Sequence, residues 1–385
     1  MNKTIKLLLA VTFLWHINAF SQTKSNLNNC AELDSNNFNK VINGKQVGLY
    51  FLKNGDLNMA ITNYGGRIVS LCVPDKNGFK EDVVLGFKSI DDYLNATAVY
   101  HGAIIGRVAG RINKGKFNLD GLTYTLPLNG GANHQHGGPK GFHNQVWDVK
   151  SLSDSSIVLT YLSIDKEMGY PGNLLVEATY SLNFKNELSL KLYATTDKNT
   201  PINLTNHAFF NLAGEGNGDI LNHILTIPSN FITPVNPDKI PTGKLLKVKG
   251  TPFDFRKSKK IGEGLVLESE NDQLKLAGGF DHSYVLTKKD IQKVKLAATV
   301  LEPKSGRKLE ILTNNSCIHL FSANFFKGAD FGKMGKPFNY RASFALETQS
   351  FSDAPNQKSF PPIILKPSEV YEHTTIFRFS TCQIK

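Results

Sequence analysis

Ile157-Val158-Leu159-Thr160-Tyr161-Leu162 and, farther on, Glu187-Leu188-Ser189-Leu190-Lys191-Leu192-Tyr193 decide how this chain is read. The second run alternates polar and apolar residues with a period of two, so one face packs while the other meets solvent, as in a half-buried strand. The first is rich in β-branched and aromatic side chains, which fit a pleated surface. Val294 to Leu301 reads the same way. From Val47 onward such runs are separated by Gly, Asn, Asp and Pro, and stretches with helical period are rare. The 25 Phe and 12 Tyr supply bulk for an interface between sheets. The pattern predicts an all-β fold, a large antiparallel β-sandwich with few short helices. No repeat and no Pro- or Ser-rich linker divides the chain, so residues 41–385 are expected to form a single domain.

The N-terminus reads differently. Lys3 and Lys6 precede the apolar run Leu7 to Trp15, and Ala19 and Ser21 stand at the third and first positions before Gln22. That is the pattern of a signal peptide, residues 1–21, too short in its apolar part to span a bilayer. The expectation is an exported protein, periplasmic or secreted after cleavage near Ser21. Residues 22–40 are polar and read as a loose leader. Losing Lys3 and Lys6 would lower the formal charge from +11 to +9. The basic residues are scattered, and the densest cluster, Arg256-Lys257-Ser258-Lys259-Lys260, lacks interleaved aromatics, so no nucleic acid partner is expected. Cys30, Cys72, Cys317 and Cys382 are too far apart for a stapled mini-fold or a zinc knuckle, although one disulfide can form. No later segment is apolar enough to be a membrane span, and a monomer or weak dimer is expected.

Chemistry concentrates in a few stretches. Asn203-Leu204-Thr205-Asn206-His207-Ala208-Phe209-Phe210-Asn211 sets three amides, a hydroxyl and an imidazole among apolar residues. Polar groups in such a setting need partners, and His207 is a candidate general acid because imidazole titrates near neutrality. Gly106-Arg107-Val108-Ala109-Gly110-Arg111-Ile112 places two arginines four residues apart, on one face if the segment is extended. In Asn133-His134-Gln135-His136-Gly137-Gly138 the two histidines would also share a face. Their spacing invites a metal centre of Fe, Mn or Zn, with His207 and Glu347 as further ligands. Two histidines alone are thin support, and the glycines after them suit close approach of backbone to a ligand instead. Asp281, in Gly278-Gly279-Phe280-Asp281-His282, and Glu347, in Ala345-Leu346-Glu347-Thr348-Gln349, are carboxylates among apolar neighbours. Each must be paired, for instance with Arg111 or Arg341, or carry a raised pKa suited to base catalysis.

Taken in order, these motifs resemble the aldose 1-epimerases, or galactose mutarotases, from about Val41 to Ser380. The resemblance also runs through Thr62-Asn63-Tyr64-Gly65-Gly66, Pro241-Thr242-Gly243 and Phe360-Pro361-Pro362 with His373-Thr374-Thr375. It implies a sandwich of the galactose mutarotase-like (supersandwich) type and interconversion of the α and β anomers of free hexoses such as galactose and glucose. It assigns Glu347 as general base, His207 as general acid, and Arg111, His136, Asp281 and His319 as sugar contacts, with no metal and no cofactor. His319 stands where some members have glutamine, and Gly110 where some have asparagine; both departures bear on the choice of sugar. Two other readings are a glycoside hydrolase or lyase using Asp281 and Glu347 as its carboxylate pair, and a carbohydrate-binding protein without catalysis.

Overall fold

The alternating runs assemble into the largest sheet. In a computed structural model that describes residues 28–286 and 293–382, nine strands pair in the spatial order Asp148–Leu152, Ser156–Ser163, Leu174–Asn183, Glu187–Thr196, Tyr371–Thr381, Arg307–Thr313, Lys295–Leu301, Ile224–Thr226 and Lys259–Lys260. The pairing is antiparallel throughout, and Leu174–Asn183 and Glu187–Thr196 are bonded over their full lengths. Burial alternates along these strands, so Val176, Ala178, Tyr180, Leu188, Leu190 and Leu192 all face inward. Between them, two five-stranded sheets supply most of the opposing face. One is ordered Asn28–Asn29, Lys80–Asp82, Arg67–Pro74, Leu57–Thr62, Leu49–Asn54; the other Leu246–Lys247, Phe231–Ile232, Asp281–Val285, Cys317–Phe321, Ala345–Gln349. Leu57, Met59, Ile61, Ile318, Leu320 and Leu346 meet the inward residues of the nine-stranded sheet in one continuous core. The all-β sandwich is therefore as expected, and among the described residues the α-helices are the short Ile90–Asn95, Ile261–Leu265 and Asp272–Ala277.

The smaller sheets differ from the large one in a way that matters for function. Arg67–Pro74 and Ala345–Gln349 are buried along nearly their whole lengths, so they are covered on both faces. Polar residues on such a strand face either packed protein or an enclosed cleft.

The signal segment, residues 1–21, lies outside the described residues, as do residues 22–27. The rest of the expected leader is fastened to the domain. Asn28–Asn29 pairs in parallel with Lys80–Asp82, Cys30 is bridged to Cys72 with their Cα atoms 6.1 Å apart, and Phe38 is fully buried. Its polar composition hid a strand edge and a covalent tie. No helix among the described residues is long and apolar enough to cross a membrane.

Candidate active site

A cleft of about 670 Å³ opens over the second five-stranded sheet. Its floor is the three adjacent strands Asp281–Val285, Cys317–Phe321 and Ala345–Gln349, in which His319 lies opposite Glu347 on one side and Ser283 on the other. Glu347 sits mid-strand with 2% of its surface exposed. Neither Arg111 nor Arg341 pairs with it; Arg341 is engaged by Glu268 and Asn324. Facing it is His207, 5% exposed, whose Nε2 is 3.4 Å from Glu347 Oε1.

The stretch around His207 is held as its polarity requires. Its N–H donates to Ala103 O at 2.8 Å, and its carbonyl accepts from Gly102 N at 3.0 Å. Asn206 donates to Gly102 O at 2.7 Å, and Asn211 to Ala342 O at 3.0 Å. Asn203 bridges two other site segments, donating to Ala109 O at 3.2 Å and accepting from Ser350 N at 2.8 Å. The amides thus lock together the arginine loop, the histidine and the glutamate strand. The His207 ring stacks on Tyr100 at 5.7 Å and touches Phe209 and the edge of His136. Burial lowers its pKa below the ordinary imidazole value, while the Glu347 carboxylate pulls it back up.

The two arginines part company. Gly110 adopts a left-handed φ of +80°, which breaks the extended run and cancels the four-residue parity. Arg107 is buried against carbonyls of Pro171 and Gly172 and the Ser163 hydroxyl. Arg111 instead reaches the cleft, its guanidinium 3.6 Å from Asp281 Oδ2. The two histidines separate for a similar reason, since His136 has φ +50° and ends the His134–Gln135 strand. His134 turns inward between Pro127 O and Tyr170 Oη, while His136 faces the cleft. Asp281 is delivered by the stop of the Asp272–Ala277 helix at Gly278, φ +68°. His319 Nε2 donates to Asp281 Oδ1 at 2.8 Å and its Nδ1 accepts from Ser283 Oγ at 3.0 Å. Burial alone would raise the Asp281 carboxyl, but Arg111 and His319 outweigh it and hold the group well below the usual carboxylate range.

The metal reading can be weighed on this geometry. One ligand atom each of His136, His207 and Glu347 lie within 4.8 Å of one another, and His134 takes no part. However, Gly110 N–H donates to His136 Nδ1 at 3.3 Å, which leaves the ring proton on Nε2. Nδ1 is then committed, and Nε2 offers the cleft a donor rather than a lone pair. With a fixed donor, a buried carboxylate and an arginine–aspartate pair, the set suits a ligand bearing several hydroxyls. Glu347 Oε2 and Gln349 Oε1 have no hydrogen-bond partner among the described residues.

Comparison with known proteins decides the lineage. Residues 48–378 match the family model described as aldose 1-epimerase. Galactose mutarotase of Rattus norvegicus is 42% identical over 337 residues, 88% of this chain and 95% of that protein. Aldose 1-epimerase of Escherichia coli is 33% identical over 328 residues, 85% of this chain and 93% of that one. The crystal structure of an aldose epimerase homologue from C. elegans superposes with a TM-score of 0.80 at 31% identity, covering 88% of this chain and all of the other.

The chain belongs to the aldose 1-epimerase family.

Within that family frame, the cleft also holds residues the sequence reading passed over. Tyr100 lies between the rings of His136, His143 and His207, its phenol pushed up to about 12 mainly by burial. Only the fold brings it there. Gln349 was legible in principle, because it lies two residues beyond Glu347 and so shares its face of the strand. The departures at Gly110 and His319 also acquire a structural sense. A Cβ at Gly110 would stand 2.4 Å from Ser352 Oγ, the group that accepts from Arg111 N–H at 2.7 Å. His319 spends both ring nitrogens on Ser283 and Asp281, whereas a glutamine amide, with two N–H donors and a carbonyl acceptor, would have a donor left over for a ligand.

Proposed function

We propose that the chain catalyses mutarotation of free hexoses, galactose and glucose among them, with His207 and Glu347 as its proton-transfer pair. The observation that carries this is the buried imidazole and carboxylate 3.4 Å apart, in a cleft whose other polar groups are fixed donors and acceptors. Glu347 takes the proton of the C1 hydroxyl as His207 gives one to the ring oxygen. The C1–O5 bond breaks and the electron pair of the former O–H bond becomes the carbonyl π bond. After rotation about C1–C2 either face of the aldehyde recloses. The ring hydroxyl returns its proton to His207, and Glu347 returns its own to the new C1 oxygen. No net proton is consumed. Arg111, His136 and Asp281 orient the hydroxyls, and His319 holds Asp281.

The hydrolase reading is disfavoured by the partners: the group facing Glu347 is the His207 imidazole at 3.4 Å, while both oxygens of Asp281 are engaged by Arg111 and His319 and serve as acceptors rather than as half of a carboxylate pair. Export is part of the proposal: the N-terminal pattern suggests it, and a bridge between Cys30 and Cys72 suits an oxidising compartment.

Polarimetry of freshly dissolved α-D-galactose and α-D-glucose is the test. Glu347→Gln and His207→Asn are each expected to lose on the order of a hundred- to ten-thousandfold in rate while keeping the wild-type circular dichroism. Full activity in either variant would move the proton transfer to other residues.

A further inference from the structure

At the mouth of the cleft stands a cation that the proposed chemistry of neutral sugars does not use. Lys239 sits on the tight turn 236–240, closed by Asn236 N–H donating to Ile240 O at 2.9 Å and Ile240 N–H donating to Asn236 Oδ1 at 3.0 Å. The turn is anchored from the site side, because the buried Asn133 donates to Asp238 O at 3.0 Å. Lys239 takes a left-handed φ of +59°, and its ammonium lies 4.2 Å from the ring centroid of Phe325, a cleft-lining residue 52% exposed. Lys327, two residues on, lines the same cleft. Among the described residues neither lysine has an ion-pair partner within 4 Å. Lys239 is half-buried, and it lies within electrostatic reach of Asp281 and Arg111. A partly desolvated ammonium held against an aromatic face, with no ion-pair partner within 4 Å, is an arrangement that an incoming anion completes.

The place of that charge limits what can bring the anion. Asp281 lies two strands from Glu347, so a pyranose with its C1 between Glu347 and His207 extends its far side toward Asp281, Arg111 and the Lys239 turn. A monoanion fits better than a dianion there, because repulsion from the Asp281 and Glu347 carboxylates grows with ligand charge. The net positive charge, +11 for the full chain and still +9 without Lys3 and Lys6, adds a long-range field that draws anionic sugars in.

We propose that Lys239, seconded by Lys327, forms a subsite for the carboxylate of a free hexuronic acid, so that the chain epimerises uronic acids at C1 as well as neutral hexoses. The inference rests on the epimerase reading of His207 and Glu347, and the carboxylate takes no part in the proton transfers.

Anomer exchange followed by proton NMR, with D-galacturonate, D-galactose and D-galactose 6-phosphate on the full chain and on Lys239→Met, tests it. Galacturonate is expected to be turned over with a kcat/KM at least equal to that of galactose. Lys239→Met should lose about tenfold on galacturonate and less than about twofold on galactose, as removal of one charge-assisted contact predicts. Turnover of galactose without galacturonate overturns the proposal, and so does an equal loss on both sugars. A preference for the 6-phosphate overturns the choice of a carboxylate. Should no sugar be turned over, the epimerase reading itself fails, and calorimetric titration with galacturonate reads the subsite alone: binding that Lys239→Met abolishes sustains it, and no binding removes it.

Discussion

Glu347 opposes the loss of charge that burial imposes on His207, and that coupling can be read at single residues. Burial depresses the imidazole and the carboxylate opposes it, so removing the carboxylate charge must depress the imidazole further. In Glu347→Gln the His207 ring is therefore expected to titrate at lower pH than in the wild-type protein, as NMR of the imidazole protons would show. An unchanged or raised midpoint would mean that the two groups do not face each other in solution. The same electrostatics shape the pH profile of the wild type. If the pair works with one proton between its members, kcat/KM falls on the alkaline side as His207 loses that proton, at a pH below that of an ordinary imidazole. Asp281 plays a complementary part: Arg111 and His319 keep it ionised, which makes it a steady acceptor for hydroxyls rather than a proton donor.

At the level of elements, the site depends on places where regular structure stops. Gly110 and His136 interrupt strands, Gly278 ends a helix, and each interruption aims one polar side chain into the cleft. Gly137 shows how little room these turns leave, since a Cβ there would stand 1.7 Å from Gly106 O. The Cys30–Cys72 bridge is an element-scale device of another kind. It closes a loop of 42 residues in sequence separation and fastens Asn28–Asn29 to the edge of the first five-stranded sheet. Such a closure is worth about 2–4 kcal/mol. None of the cleft-lining residues belongs to that sheet. Reduction, or Cys72→Ser, is accordingly expected to lower the calorimetric Tm by several degrees while leaving the mutarotation rate of the folded protein within about twofold. Loss of activity in step with the bridge would tie the leader to the cleft.

Eight imidazoles are buried among the described residues. His134, His223 and His373 are held at about 4, and His143 and His282 at about 3, in each case chiefly by burial. In the unfolded chain each would titrate near 6.5. Below that pH the unfolded state binds protons that the folded state refuses, so stability present above about pH 6.5 is lost as pH falls toward the folded values. Each histidine contributes a slope of about 1.4 kcal/mol per pH unit within that window. Glu215 and Asp353, pushed up by burial, take protons first in the folded state and offset part of the loss. The Tm is expected to fall steeply between pH 6.5 and about pH 4, and a flat profile in scanning calorimetry would show that these rings are solvated.

Local pattern determined the architecture because the period of two and the spacing of Gly, Asn and Pro are fixed by the chain itself. Ile157–Leu162 and Glu187–Tyr193 became Ser156–Ser163 and Glu187–Thr196 of the large sheet. The polar stretch around His207 was legible as a site because buried amides need partners, and Asn203, Asn206 and Asn211 each have them. Tertiary structure alone decided which neighbours in sequence became neighbours in the cleft. Arg107 and Arg111, or His134 and His136, carry the same chemistry at regular spacing, yet a single left-handed residue sent each pair to opposite sides. Left-handed φ at Gly110 or His136 is selected by long-range contacts with Ser352 and Gly110, and no local propensity records those contacts. Tyr100, Lys239 and the partner of Cys30 were hidden for the same reason: their roles follow from segments far away in the chain, brought together only when the sheets pack.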